Sequence, residues 1–301
     1  MSDLERTTAT LPADPWAGVI PRETLDLYRS VLGGLLERDV PFLVGGAYAL
    51  HRHTGLERHT RDLDLFVLRE TLPRIASAAR EMGLEAVEFS PHWLWKITTE
   101  AGYVDLIYGS GNGAAPMDEE WFTHSVEGEV FGMPVRLVPA EEMIWSKSFI
   151  MERERFDGAD VAHLLLERAE TLDWARLLRR FGPHWRVLLA HLTVFGYVYP
   201  GHRHRVPPFV MRELLSRTLD EVVPDSAPAL QTLCGGTLLS RSQYLIDVCE
   251  RGYRDARLPP FGSMSRAEIE EWTRLAKEES ADDAPASPSS SRPSTPERRP
   301  S

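Results

Sequence analysis

Cysteine is scarce in this chain of 301 residues, which contains only Cys234 and Cys249. Their spacing of fifteen residues does not match the paired ligands of a zinc site, and two cysteines are too few for a disulfide framework. Both are therefore expected to be buried or spare thiols.

Long apolar runs are also absent, since no stretch approaches the roughly 18 apolar residues that a membrane span requires. The first residues, MSDLERTTATLPADPW, carry charges and a proline where a signal peptide needs an unbroken apolar stretch. The apolar content of 43% is enough for one large core or two modest ones. The sequence therefore predicts a globular protein of the cytoplasm without a membrane partner.

Several common catalytic signatures are missing, namely the P-loop, the dinucleotide fingerprint and the G-x-S-x-G motif of serine hydrolases. The net charge of -11 opposes the phosphate backbone, so bulk electrostatics do not favour nucleic acid. One local segment, residues 51–61, is nevertheless basic and leaves a local contact open. Its cations, against the single acid Glu57, are His51, Arg52, His53, Arg58, His59 and Arg61.

The apolar spacing predicts an α+β protein with a small mixed β-sheet in its first half. A helix over 22–38 is followed by a short strand at 41–44, a turn at Gly45 and Gly46, and a second helix that opens at 47. The remaining predicted elements are a strand over 62–68, a helix over 69–83, strand-like runs over 84–90, 92–99 and 102–109, and an edge hairpin over 125–139.

From Ala140 onward the spacing becomes helical, which predicts a helical second half. The helical segments are 140–156, 159–169, 172–182, 184–199 and 208–219. Residues 280–301 hold seven serines and five prolines and too little apolar surface to offset chain entropy, so this tail is expected to be disordered. The predicted division is an extension at 1–20, a core at 21–139, a helical domain at 140–279 that completes the site, and the tail.

Two aspartates in the strand DLDLFVL are the first candidate site. Asp62 and Asp64 project from one face, because side chains at i and i+2 share a face of a strand. Carboxylates about 7 Å apart repel one another, and a divalent cation between them relieves the repulsion; oxygen ligands select Mg²⁺ or Mn²⁺. A bare D-x-D pair fits a solvated strand end equally well.

Two further features favour the metal interpretation. Asp105 lies in the apolar run GYVDLIYG, where an unpaired carboxylate would be costly to bury, and a third acid on a neighbouring strand completes a cage for two metal ions. The turn at Gly45 and Gly46 offers backbone N–H groups and the positive end of a helix dipole to a triphosphate. Carboxylates, metal and phosphate cradle together predict nucleotidyl transfer.

The stretch GGAYALHRHTGLERHTRDLDL resembles the nucleotidyltransferase superfamily of DNA polymerase beta, and more closely its AbiEii-type branch. The pattern of that branch is GG-x-A followed by R-x-[ST]-x-D-[IL]-D. In this chain it falls on Gly45, Gly46, a GGA triplet that ends at Ala47, Arg58, Thr60, Asp62 and Asp64. One departure is that Gly46 stands where many members have a serine at the helix start.

A later block, AEEMIWSKSFIMERERFDGADVAHLL, resembles the family's lysine helix with its arginine-rich turn and D-x-x-D pair. It falls on Lys147, Arg153, Arg155, Asp157 and Asp160. The resemblance implies that Lys147 contacts nucleotide phosphate and that an acid of the pair positions it. The alternative is that these cations form a solvated helix face.

The resemblance implies an enzyme that moves a nucleoside monophosphate from a nucleoside triphosphate to an acceptor hydroxyl with Mg²⁺ or Mn²⁺ and releases pyrophosphate. Asp62, Asp64 and Asp105 would hold metal, and Asp105 would also take the proton. The implied nucleotide-binding residues are Gly45, Gly46, Arg58, Thr60, Lys147, Asp157 and Asp160. A small molecule, a protein and RNA all stay open as acceptor, and AbiEii kinship implies a toxin with an antitoxin-like partner. The alternative is a catalytically inactive module of the same fold that binds nucleotide or a partner.

Overall fold

The computed structural model describes residues 20–58, 60, 62–220 and 228–282. The predicted extension, apart from Ile20, therefore lies outside the described residues, as do His59 and Arg61 of the basic segment. The last helix continues to Asp282, so residues 280–282, which the sequence assigns to the tail, belong to a helix. Residues 283–301 lie outside the described part.

A seven-stranded mixed sheet forms the centre of the molecule. Its order is β3-β4-β5-β2-β1-β7-β6, in which β2 and β5, and likewise β1 and β7, run parallel and the other neighbours antiparallel. The strands are β1 Leu43–Val44, β2 Asp62–Phe66, β3 Ala86–Ser90, β4 Leu94–Thr99, β5 Gly102–Ile107, β6 Val126–Val130 and β7 Met133–Leu137. The predicted α+β class, its strands and its edge hairpin are confirmed.

In the described part of this half lie the α-helices α1 Arg22–Leu36, α2 Gly46–Thr54, α3 Leu72–Glu81 and α4 Glu119–Thr123. Helix α1 buries Tyr28, Val31, Leu32 and Leu35, which share one face at helical spacing. Gly34 lies against the Met82 side chain that follows α3, and a Cβ there would collide with the sulfur. The glycine that weakens the helix in sequence thus permits close packing of α1 and α3.

The second half is helical, as the spacing predicts. Its helices are α5 Ala140–Lys147, α6 Gly158–Arg168, α7 Trp174–Phe181, α8 Trp185–Val198, α9 Pro208–Asp220, α10 Pro228–Gln231, α11 Leu245–Cys249 and α12 Arg266–Asp282. A parallel pair that the spacing does not predict joins β8 Leu233–Cys234 to β9 Arg254–Asp255. Among the described residues, no helix is both long and apolar enough to cross a membrane.

The helix predicted over 140–156 is wrong beyond Lys147. The chain turns instead, with Met151 bridged to Phe156 and the Glu152 N–H donating to the Arg155 carbonyl at 2.8 Å. The charged run in this segment has no apolar face to bury, so packing does not extend the helix. The turn returns the chain toward the end of α5, where the two halves meet.

One continuous core crosses the boundary drawn between residues 139 and 140. The rings of Phe66 on β2 and Trp121 on α4 stack at 5.4 Å, and Trp145 on α5 lies 6.3 Å from Trp121. Near the chain's end, Trp272 of α12 packs edge-on against Trp93 at 5.9 Å. The boundary separates types of secondary structure, and apolar packing joins the two sides.

A buried ion network fixes α5 against α7. Arg176, which is 4% exposed, pairs with Glu141 at 2.7 Å and also with Glu142, which is 0% exposed. Arg180 reaches Glu142 at 3.2 Å and Asp118 at 2.8 Å. Burial raises the pKa of Glu142 against the opposing pull of Arg176 and Arg180. Loss of one partner would therefore leave an uncompensated charge in the core.

We predict that Arg176→Met costs about 3 to 5 kcal/mol in the free energy of unfolding, because it removes the cation that pairs with buried Glu141 and leaves buried Glu142 with Arg180 alone. The matched control is Arg179→Met, whose exposed pair with Glu120 spans 3.4 Å and is worth less than about 1 kcal/mol. Guanidinium titration measures both. The double variant Arg176→Met with Glu142→Gln is expected to recover part of the loss. Equal costs for Arg176→Met and the control Arg179→Met would contradict a structural role of the network.

Candidate active site

Three carboxylates meet on one face of the sheet. Strands β2 and β5 run parallel, and their register places Asp64 directly beside Asp105 and Asp62 beside Tyr103. One oxygen from each of the three aspartates lies within 4.8 Å of the others. The intervening Leu63, like Leu65, Val104 and Leu106 of the same strands, is fully buried on the opposite face. Strand alternation thus brings all three predicted acids to one point.

The cluster is electrostatically unfavourable without a cation. Burial, together with the charges of Asp62 and Asp105, raises the pKa of Asp64 to about 7, although Lys147 and Arg155 act to lower it. Burial also raises the pKa of Asp105. Oxygen-only ligands at this separation suit a hard divalent cation, and Mg²⁺ and Mn²⁺ fit this set of donors.

The glycine turn lies directly against the cluster. The Gly45 N–H donates to the Asp64 carbonyl at 2.9 Å, and a Cβ at Gly45 would collide with the Phe66 ring. Gly46 has φ +54°, and a Cβ there would collide with the Asp64 carboxylate. A serine at this position, which the pattern that the sequence resembles often carries, would therefore collide with the Asp64 carboxylate.

Helix α2 begins at this turn, and its N-cap residue, Gly45, has no side chain with which to cap the first N–H groups. Its N-terminal end therefore presents backbone donors and a partial positive charge beside Asp64. A phosphate group is the kind of anion that such an end attracts.

Lys147 ends α5 and lies in a partly buried ion network. Its Nζ is 2.8 Å from Asp157 and 2.8 Å from Asp160, whose side chains are 8% and 2% exposed. Arg155 donates to Asp157 at 2.9 Å, and Arg58 pairs with Asp160. Burial works to raise the pKa of Asp157, but Arg155 and Lys147 outweigh it and hold that pKa below its usual range.

The solvated-face alternative therefore does not describe Lys147, whose side chain is 16% exposed. It does describe Arg153, which is exposed, and in part Arg155, whose side chain is 66% exposed. Both Lys147 and Arg155 lie close enough to lower the pKa of Asp64. The predicted lysine block is thus brought to the acidic cluster.

The basic segment over 51–61 does not form a single patch in its described part. His53 is 7% exposed, and its Nε2 lies 2.8 Å from the Val138 carbonyl oxygen. Thr60 donates to the Asp62 carboxylate, and Arg58 is occupied by Asp160. Arg58 and Thr60 thus contact acids of the candidate site, whereas His53 is turned inward against Val138.

Sequence reasoning missed Lys96. Its Nζ lies 2.7 Å from Asp105 Oδ1, and the register of β4 and β5 pairs the two residues directly. A signal was present: the runs LWKITT and GYVDLI are joined by a short turn, and a hairpin closed between Thr99 and Gly102 places residue 96 opposite residue 105. The lone cation of the first run would then face the lone acid of the second.

No protein-family model and no curated protein matches this chain. Among solved structures, the antibiotic-resistance factor ANT(2'')-Ia is 18% identical with a TM-score of 0.38, covering 57% of this chain and 96% of its own. The lincosamide antibiotic adenylyltransferase LnuA, lincomycin-bound, is 16% identical with a TM-score of 0.34 and covers 48% and 96%. An antigenic nucleotidyltransferase-like protein from Paracoccidioides brasiliensis is 15% identical with a TM-score of 0.38 and covers 62% and 93%. Structural similarity at this level does not carry the function of these proteins over to this chain.

We predict that Asp64→Asn stabilises the metal-free protein by about 1 to 4 kcal/mol above about pH 7 and has little effect near pH 4. The folded protein holds a proton on Asp64 up to about pH 7, whereas the ordinary pKa is 3.8. Wild-type stability therefore falls as pH rises from about 4 to about 7, and an uncharged amide removes this dependence.

Thermal melts in a chelator across that pH range measure the effect. Asp26→Asn is the control, since that side chain is 63% exposed and pairs only at 3.9 Å with Arg22. A gain for Asp64→Asn that is equal at both ends of the range would show that charge repulsion is not its cause.

Proposed function

We propose that the protein is a metal-dependent nucleotidyltransferase that transfers a nucleoside monophosphate from a nucleoside triphosphate to an acceptor hydroxyl. The observation that supports this most strongly is the meeting of Asp62, Asp64 and Asp105 on one sheet face. Their oxygens lie within 4.8 Å of one another, directly beside the glycine turn that starts α2. An acidic cluster alone fits any metal site, but an adjoining phosphate cradle favours nucleotide chemistry.

The three aspartates would bind the metal ions. Asp62 and Asp64 would hold the Mg²⁺ or Mn²⁺ that carries the triphosphate, and Asp105 would share in holding an ion near the acceptor. When bound, the metal supplies charge compensation and lowers the pKa of the attacking hydroxyl. Without a cation, burial and the neighbouring acids raise the pKa of Asp64 to about 7, and a bound ion would relieve this unfavourable crowding of charge.

The opposite flank of the site supplies groups for the triphosphate. The N-terminal end of α2 lies against Asp64, and Lys147 and Arg155 from the helical half lower the pKa of that acid. Asp157 and Asp160 hold the lysine in place, and Arg58 and Thr60 brace Asp160 and Asp62. In this proposal the helical half completes the site through the residues that follow α5.

The reaction forms one bond and breaks one. The acceptor oxygen attacks the α-phosphorus, the bond from that phosphorus to the bridging oxygen of pyrophosphate breaks, and pyrophosphate leaves. Asp105 takes the proton of the acceptor hydroxyl. The AbiEii-type kinship and an antitoxin-like partner remain predictions of the sequence resemblance.

The alternative is a module of the same fold that binds nucleotide or a partner without turnover. A buried acidic cluster is costly to maintain, as the raised pKa values of Asp64 and Asp105 indicate. A binding module needs phosphate and base contacts but not three converging carboxylates. This feature favours the enzyme.

The acceptor class and the activity are tested together. Each nucleoside triphosphate, labelled at the α-phosphate, is incubated with the protein, Mg²⁺ and a cell extract, and the RNA, protein and small-molecule fractions are separated. Transfer of label to one fraction identifies the acceptor class. Nucleotide binding without transfer to any fraction would favour the binding module.

We predict that Asp62→Asn and Asp64→Asn each lower transfer by at least about 100-fold, because the triphosphate loses its metal anchor. Asp26→Asn, which changes an exposed side chain near the start of α1, is expected to transfer at the wild-type rate. Thermal melts confirm that all three variants fold. A double variant of Asp62 and Asp64 that retains full transfer would rule out the catalytic assignment.

We predict that Lys147→Met weakens triphosphate binding by about 1 to 3 kcal/mol, the range for a hydrogen bond to a charged group. The fold is expected to survive, because Asp157 keeps Arg155 and Asp160 keeps Arg58. Calorimetry with a non-hydrolysable triphosphate measures the change, with Arg153→Met as the exposed control. Unchanged affinity for Lys147→Met would restrict Lys147 to a structural role.

A further inference from the structure

Lysine is rare in this chain, and its placement is informative. The 34 basic residues comprise 31 arginines and three lysines, Lys96, Lys147 and Lys277. Two of the three lie at the candidate active site. An ammonium is a compact point charge with three donors, whereas a guanidinium is a planar fork that demands a wider partner surface. At these two positions the chain uses the compact cation.

Lys96 is held on several sides. Its Nζ lies 2.7 Å from Asp105 Oδ1, 4.5 Å from the centre of the Tyr103 ring and 5.0 Å from that of Phe89. The side chains of Lys96 and Asp105 are 21% and 13% exposed, so solvent screens the pair only in part. Cross-strand pairing of β4 with β5 fixes their distance through the backbone. This is an ordered contact within the sheet.

Lys147 cannot substitute for it. The Lys147 ammonium is shared between Asp157 and Asp160 at 2.8 Å each, on the helical side of the cluster. Lys96 approaches from the opposite side, across β5. The two lysines therefore stand on the two flanks of the three carboxylates, and each has a separate partner.

We propose that Lys96 is a positioning residue of this site: it holds Oδ1 of Asp105, leaves the second oxygen of that carboxylate for the acceptor hydroxyl, and sets the charge that the cluster presents to a cation. When all three carboxylates are ionised, they and the Lys96 ammonium carry a formal charge of -2, which one divalent ion neutralises. The orienting role rests on the proposed function. The effect on cation binding does not, because it follows from the contact alone.

The experiment compares Lys96→Met, Lys96→Arg and the matched control Arg80→Gln, which removes an exposed cation on α3. Methionine keeps the unbranched stem over the two rings and removes the charge. Binding of Mn²⁺ alone is followed by electron paramagnetic resonance, triphosphate affinity by calorimetry, and transfer by release of pyrophosphate in the presence of cell extract.

Lys96→Met is expected to bind Mn²⁺ about 3- to 10-fold more tightly than wild type, since a neighbouring positive charge is gone. Lys96→Arg and Arg80→Gln are expected to stay within about twofold. Transfer by Lys96→Met falls about 10- to 100-fold while triphosphate affinity changes less than about twofold, and Lys96→Arg keeps transfer within about tenfold of wild type.

Unchanged Mn²⁺ affinity in Lys96→Met overturns the proposal, as does transfer by that variant at the wild-type rate. A loss of triphosphate affinity equal to that of Lys147→Met also overturns it, because Lys96 would then act on the nucleotide flank. If the wild-type protein transfers nothing, the proposed function fails, and the Mn²⁺ comparison still decides whether Lys96 sets the charge of the cluster. Thermal melts of each variant separate these outcomes from loss of fold.

Discussion

Repulsion among three carboxylates on adjacent strands is the constraint around which this site is built. Asp64 and Asp105 are neighbours in a parallel pair, so the backbone of the sheet fixes their separation and the acids cannot move apart without breaking the ladder. The leucines and valines on the other face of the same strands are fully buried, which fixes the register. Apolar packing on one face thus imposes charge crowding on the other. The surrounding cations offset part of that crowding.

Those cations come from both halves of the chain. Lys96 lies on β4, the strand next to β5, whereas Lys147 lies at the end of α5 and Arg155 in the turn after it. Helix α5 can be aimed in this way because its first turn is fixed by Glu141 and Glu142 to the buried Arg176 of α7. The network lies far along α5 from the lysine, yet the same helix carries both. Helix α5 therefore contributes both to the stability of the fold and to the position of Lys147.

The sequence predicts most of the strands, the glycine turn and the three aspartates, because period-two alternation and glycine spacing are local signals. It overextends α5 to residue 156, since the charged run after Lys147 has good helix propensity but offers no apolar face to bury, and the chain turns there with Met151 bridged to Phe156. It also treats His53 as part of a basic segment, although a helix end turns that ring inward to Val138. Lys96 was missed for a different reason: its meaning depends on a hairpin register that joins two runs. Local sequence patterns do not show which residues of different strands or helices contact one another.

The use of glycine at position 46 follows from the same crowding. A positive φ brings the start of α2 so close to Asp64 that any side chain at 46 would occupy the space of the carboxylate. A serine would add a hydroxyl for phosphate but would displace an acid from the cation site. Gly46 retains the acid, and the backbone N–H groups of α2 then stand beside it without a cap. In the proposed function, phosphate recognition on this flank would fall to the backbone and to Lys147, which the buried pair Asp157 and Asp160 holds in place.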